Sequence, residues 1–162
     1  MNKNEDINLL PILKPLWFKE NFIERMTGEK LHSPGLLIIA DDDEYFYFLS
    51  CYDRKIEEQD YDNPKDIIEV IKGDGITDEG ELKEIEDLYA IDLSKIFKIK
   101  RKDMYLNLKT KDYEMDDLPY LGVKNQLQVV DRIGEKINSD KDKPKMVLIM
   151  RGEKTALKAS IN

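Results

Sequence analysis

Between Gly35 and Lys55 the hydrophobic pattern has a single simple explanation. Leu36, Leu37, Ile38 and Ile39 form an apolar run, Asp41-Asp42-Asp43 is a cluster of turn formers, and Tyr45-Phe46-Tyr47-Phe48-Leu49 is an aromatic run. Branched and aromatic residues on either side of a polar turn predict a β-hairpin. Pro34 cannot donate to a ladder and Gly35 is conformationally permissive, so His32-Ser33-Pro34-Gly35 is its expected entry turn. Side chains alternate along a strand, which puts Tyr45, Tyr47 and Leu49 on one face and Phe46, Phe48 and Ser50 on the other.

Upstream, Pro11 and Pro15 argue against a continuous helix over Leu9 to Leu16. Phe18, Phe22 and Met26, at four-residue spacing, predict a short helix over Trp17 to Met26. Downstream, Asn63-Pro64 predicts a cap and first residue of a helix through about Lys72, stopped by Gly73-Asp74-Gly75. Thr77 predicts the cap of a second, acidic helix to about Leu88. Tyr89 to Leu93 and Ile96 to Ile99 predict one strand, or two with a kink at Ser94. From Pro119 the period becomes helical: Val123, Leu127, Val130, Ile133 or Gly134, and Ile137 share one face of a helix ending near Asn138. Lys141 to Lys145 reads as a charged linker, and the apolar run Met146 to Met150 is too short to type. This order predicts an α+β chain of one domain over residues 1–162, a small curled antiparallel sheet or barrel with peripheral helices and a C-terminal helix.

Composition adds limits. No apolar run approaches the roughly 18–20 residues of a membrane span, and Met1 to Asp6 lacks the basic and apolar pattern of an export signal. One cysteine, Cys51, allows no internal disulfide and no cysteine-rich zinc site. The expectation is a soluble, cytoplasmic protein that uses no cofactor and no metal. Asp74 to Glu86 lacks the ligand alternation of a calcium loop. Net charge is −8, yet residues 57–92 alone carry −11 and the remainder +3. From Lys95 to Lys111 seven basic residues face a single acid, Asp103. A polyanion meets a local surface rather than an average, so Lys98, Lys100, Arg101 and Lys102 are candidate RNA-binding residues.

The candidate chemistry lies where the second hairpin strand ends. Ser50, Cys51, Tyr52, Arg54 and Lys55 bring a hydroxyl, a thiol, a phenol and two cations together. Such groups position a scissile phosphate, offset the charge that develops on it and move protons without a metal. His32, whose ordinary pKa lies near 6.5, is a further acid or base candidate. The plainer alternative is that Ser50 and Cys51 are small residues closing a strand and that the cations are solvated.

Three segments resemble ToxN-like toxins of type III toxin–antitoxin systems. His32-Ser33-Pro34 with the strand ending Leu49-Ser50-Cys51 resembles the family's first hairpin. Ile91 to Ile99 resembles its next strand region, and Tyr120 to Val130 with Asn138 resembles its helix. The resemblance implies a fold related to the MazF/PemK toxins, an SH3-like barrel elaborated with helices. It implies a metal-independent endoribonuclease in which the RNA 2′-hydroxyl attacks to leave a cyclic phosphate. It also implies inhibition by a small repeated RNA antitoxin. By position Ser50 matches the family's Thr or Ser, and Cys51 replaces the Ser that follows. Asp53 stands at the family's Lys, so Arg54 or Lys55 supplies the cation through a shifted register, with His32 or Tyr52 assisting. Gly35 stands where the family has a basic residue. The alternative is a non-catalytic interaction protein on the same fold, docking a basic protein partner through the acidic segment at about 57–92.

Overall fold

The computed structural model describes residues 10–19, 22, 35–52, 64–109 and 118–149. Within them the hairpin takes its expected place. Strand β2 (Gly35–Asp41) pairs antiparallel with β3 (Tyr45–Tyr52), preceded by a short β1 (Pro15–Trp17) on the outer edge of β2. The turn is built by Asp42, whose Oδ1 accepts from the backbone N–H groups of Glu44 and Tyr45 at 2.9 and 2.7 Å. A carboxylate closing its own turn in this way is why Asp is favoured there.

Strand β5 (Ala90–Lys100) is the centre of the sheet. One of its edges pairs antiparallel with β3. The other edge is divided between β4 (Ile67–Glu69), antiparallel to Ala90–Asp92, and β6 (Lys145–Ile149), parallel to Lys95–Ile99. Ser94 does not split β5. It lies in a bulge of that one strand: Phe48 faces Phe97 while Ser50 faces Asp92, so the register shifts across the stretch of β5 that holds Ser94. A second shift lies between Ile38 and Ala40 in the hairpin. Such bulges bend a strand and raise its twist. The sheet is therefore mixed rather than antiparallel, and its described strands do not close on themselves.

Alternation divides the core in two. Leu36, Ile38, Phe46, Phe48, Phe97 and Ile99 bury one face with Met104 and Leu108 of helix α1 (Arg101–Asn107) and its following residue. Leu37, Leu49, Cys51, Ile91, Leu93 and Ile96 bury the other, under Val129 and Ile133 of helix α2 (Val123–Ile137). A strand covered on both faces needs apolar residues at successive positions, which is the reason for the run Leu36–Ile39. Helix α2 precedes β6, so the expected C-terminal helix is followed by a strand. It sits over β4: Lys136 Nζ meets Asp66 Oδ1 at 2.6 Å, Arg132 donates to the carbonyl of Ile67 at 3.3 Å, and Asn125 bonds Glu69 and Ile71.

Several expected elements are corrected. Residues 64–72 are a 3-10 turn (Pro64–Asp66), β4 and the start of a second 3-10 turn (Lys72–Asp74), because branched Ile67 and Ile68 pair with β5 in place of coiling. Asn63 lies outside the described residues. Thr77 caps a turn and no helix: its Oγ1 accepts from the N–H of Glu81 at 3.1 Å, and Gly80 has the positive φ of 82° that the turn requires. Ile76 then bridges both Leu82 and Tyr120. A side chain at Gly75 would collide with the Lys83 carbonyl, and one at Gly122 with that of Asp74. Trp17 lies in β1 and Phe18 bridges Leu108, so the helix expected from Trp17 does not begin there. Most of its remaining length lies outside the described residues. No helix among the described residues is long and apolar enough to cross a membrane.

Candidate nucleic-acid interface

The register of β3 on β5 sets Tyr45 beside Lys100 and Tyr47 beside Lys98. Across β5, the parallel strand β6 sets Met146 beside Ile96 and Leu148 beside Lys98. These side chains share the face that carries α2, beyond the half to which α2 is bonded. Tyr45 and Tyr47 are half-buried, while Lys100, Met146 and Leu148 are exposed. The Lys98 ammonium stands 4.3 Å from the Tyr45 ring centre and 5.7 Å from that of Tyr47. Two aromatic rings thus flank one cation on an accessible sheet face.

The turn fixes one of those rings. The Tyr47 hydroxyl donates to Asp42 Oδ2 at 2.9 Å. Backbone N–H groups of Glu44 and Tyr45, then the Tyr47 hydroxyl, hold the Asp42 carboxyl below its ordinary range, and Lys98 adds to this. The same bond holds the Tyr47 phenol above its ordinary value, since ionisation would set two anions together.

The four expected RNA-binding cations do not act alike. Lys98 and Lys100 lie on the tyrosine face. Arg101 is turned to the hairpin, donating to Asp41 Oδ2 at 3.0 Å and to the Asp42 carbonyl at 2.9 Å, with its guanidinium 4.2 Å from the Phe46 ring centre. Lys102 is exposed on the first turn of α1.

The strand-end candidates occupy different ground. Ser50 is 3% exposed, Cys51 is fully buried, and Tyr52 is buried. Ser50 and Tyr52 point to the phenylalanine face, opposite Lys98, while Cys51 enters the core under α2. Burial, with Asp92 nearby, drives the Cys51 thiol far above its ordinary pKa, so it stays protonated and is no thiolate nucleophile. Among the described residues the Ser50 Oγ has no hydrogen-bond partner. Beside it in register, Asp92 accepts from the Tyr52 hydroxyl at 3.2 Å and from the Ser94 hydroxyl at 2.7 Å. Arg54, Lys55 and His32 lie outside the described residues. Cys51 thus shares the α2 face with Lys98 but is buried in the core under the helix, and Ser50 and Lys98 are separated by the sheet.

Sequence reasoning missed Asp92, Met146 and Leu148. Asp92 is an acid within an apolar strand, a signal that was open to reading. The β6 pair follows only from the parallel register. It also missed Lys14, 2% exposed, whose Nζ lies 4.5 Å from the Tyr120 ring centre and 4.0 Å from Asp78. No cluster of three metal-ligating side chains occurs among the described residues. Comparison with protein-family models, with curated proteins and with solved structures finds no match.

Proposed function

We propose that this protein binds single-stranded RNA on the sheet face of Tyr45, Tyr47, Lys98 and Lys100. The observation that carries the reading is the Lys98 ammonium standing 4.3 Å and 5.7 Å from the ring centres of two half-buried tyrosines. Bases stack on aromatic rings whatever their identity, and a lysine beside the rings meets the phosphate between them. Exposed Lys100 continues the positive edge, and Met146 and Leu148 extend the apolar floor on which bases lie. Anisotropy titration of a labelled oligonucleotide at several salt concentrations tests the reading. Affinity should fall with salt, and Lys98→Gln with Lys100→Gln should flatten the slope by about two phosphates' worth. Binding that ignores salt would count against it.

A second reading adds cleavage: a metal-independent endoribonuclease toxin of the ToxN type, on an SH3-like barrel and held in check by a small repeat RNA. The observation in its favour is that the three resembling segments pack as one body, with β2, β3 and β5 paired and α2 over them. The two bulges are the device that curls such a sheet. Chemistry on this reading falls to Tyr52 beside the buried Ser50, with Arg54, Lys55 and His32, which lie outside the described residues, as its further candidates. RNA cleavage that survives EDTA and leaves a cyclic phosphate supports it. Stable RNA in the presence of bound protein removes cleavage and leaves the binding proposal standing.

A further inference from the structure

The apolar stripe of α2 that the sequence marks as a core face is exposed. Val123, Leu127, Val130 and Ile137 are 57%, 58%, 57% and 50% exposed, while the helix buries Asn125, Val129 and Ile133. Spaced by 3.6 residues per turn, the two sets lie about 120° apart around the axis. The stripe has its own regularity. With Gly134 it runs at intervals of four, three, four and three residues, the seam of a two-stranded coiled coil. Gly134 interrupts the seam with open space, since a Cβ there would meet nothing within 4 Å.

We infer that this seam joins two copies of the chain through an antiparallel α2–α2 contact about a two-fold axis. The choice of occupant comes from self-complementarity. Run antiparallel, the seam sets Leu127 against Val130 of the second copy and Val123 against its Gly134, a bulky residue facing the gap that a glycine leaves. The same register brings exposed Lys124 alongside Asp131 of the second copy, and symmetry makes that pair twice. A parallel pairing does neither. It stacks Gly134 on Gly134, and it sets Asp131 beside Gln126. Lys136 and Arg132 remain bonded to β4 on the buried side, so the contact needs no rearrangement of the helix. The tyrosine face lies beyond the half of the sheet that α2 covers, and the dimer does not depend on the RNA reading.

Sedimentation equilibrium of the full chain over a wide micromolar range tests the inference, with circular dichroism confirming that each variant folds. The wild type should sediment as a dimer, and Leu127→Lys as a folded monomer. Lys124→Asp should weaken the dimer about tenfold by setting acid against acid twice. Adding Asp131→Lys to that variant should restore the affinity. A wild type that stays monomeric throughout overturns the inference. So does a dimer that Leu127→Lys leaves intact, or one in which the double charge reversal is no tighter than Lys124→Asp alone.

Discussion

Tyr47 and Asp42 are joined at 2.9 Å, phenol to carboxylate, across the tip of the hairpin. The bond ties the turn that shapes the strand to a ring that the strand presents, so local folding and the candidate interface share one contact. It also makes the ring less free to turn, which lowers the ordering cost of stacking a base against it.

This bond has a pH signature. Asp42 has a lower pKa folded than unfolded, so the unfolded chain binds more protons through that window. Its contribution to stability is complete above the ordinary carboxylate value and is lost as pH falls through the folded value. Thermal melts of wild type and Asp42→Asn should therefore converge as pH falls from about 5 towards 2, given an ordinary Asp value near 3.9. Tyr47 runs in the other sense, its stabilisation lost as pH rises through its raised value. Ultraviolet titration should find Tyr47 ionising later in the wild type than in Asp42→Asn.

Cys51 should be inert in the native protein. Its thiol is fully buried and kept protonated, so an alkylating reagent at pH 8 should modify it only as fast as the chain opens. Denaturant should make modification immediate. Rapid labelling of the folded chain would place Cys51 at an accessible position and reopen its candidacy as a nucleophile.

The hairpin and its two faces were legible because period-two alternation is a local signal that the turn at Asp42 reinforces. Tyr45 and Tyr47 were separable from Phe46 and Phe48 on that basis alone. Two other elements were not legible. Asn63-Pro64 carries a helix-start signal, but Ile67 and Ile68 are claimed by β5, a long-range pairing that no local rule contains. The stripe Val123-Leu127-Val130-Ile137 has the period of a core face, and periodicity cannot say whether its partner lies within the chain. The candidate site suffered the same limit. Ser50 and Lys98 fall on opposite faces, and only the register between β3 and β5 reveals it.

Ser50→Ala should cost little stability and should raise it slightly if anything. The Oγ is buried without a partner among the described residues, and removing an unpaired hydroxyl from an apolar site relieves a penalty of about 1 kcal/mol. Denaturant melts read the change directly. A loss of more than about 2 kcal/mol is what a well-paired buried hydroxyl would give, and it would contradict the geometry described for Ser50.

Asn125→Ala should be far more damaging. This side chain is 1% exposed, accepts from the Ile71 N–H at 2.8 Å and donates to the Glu69 carbonyl at 3.0 Å, fastening α2 to β4. Losing two part-buried hydrogen bonds to the backbone costs about 1–3 kcal/mol. A melt within about 0.5 kcal/mol of wild type would show that α2 is held by its apolar contacts alone.

The central claim is that RNA lies across Tyr45, Tyr47 and Lys98. Its most direct test is the affinity of a short single-stranded RNA for wild type, Tyr45→Ala and Tyr47→Ala at one low salt concentration, with folding verified by circular dichroism. The account predicts binding by the wild type and a weakening of about tenfold or more for each tyrosine removed, the cost of one lost base stack. No binding by the wild type, or equal affinity for all three proteins, would contradict it.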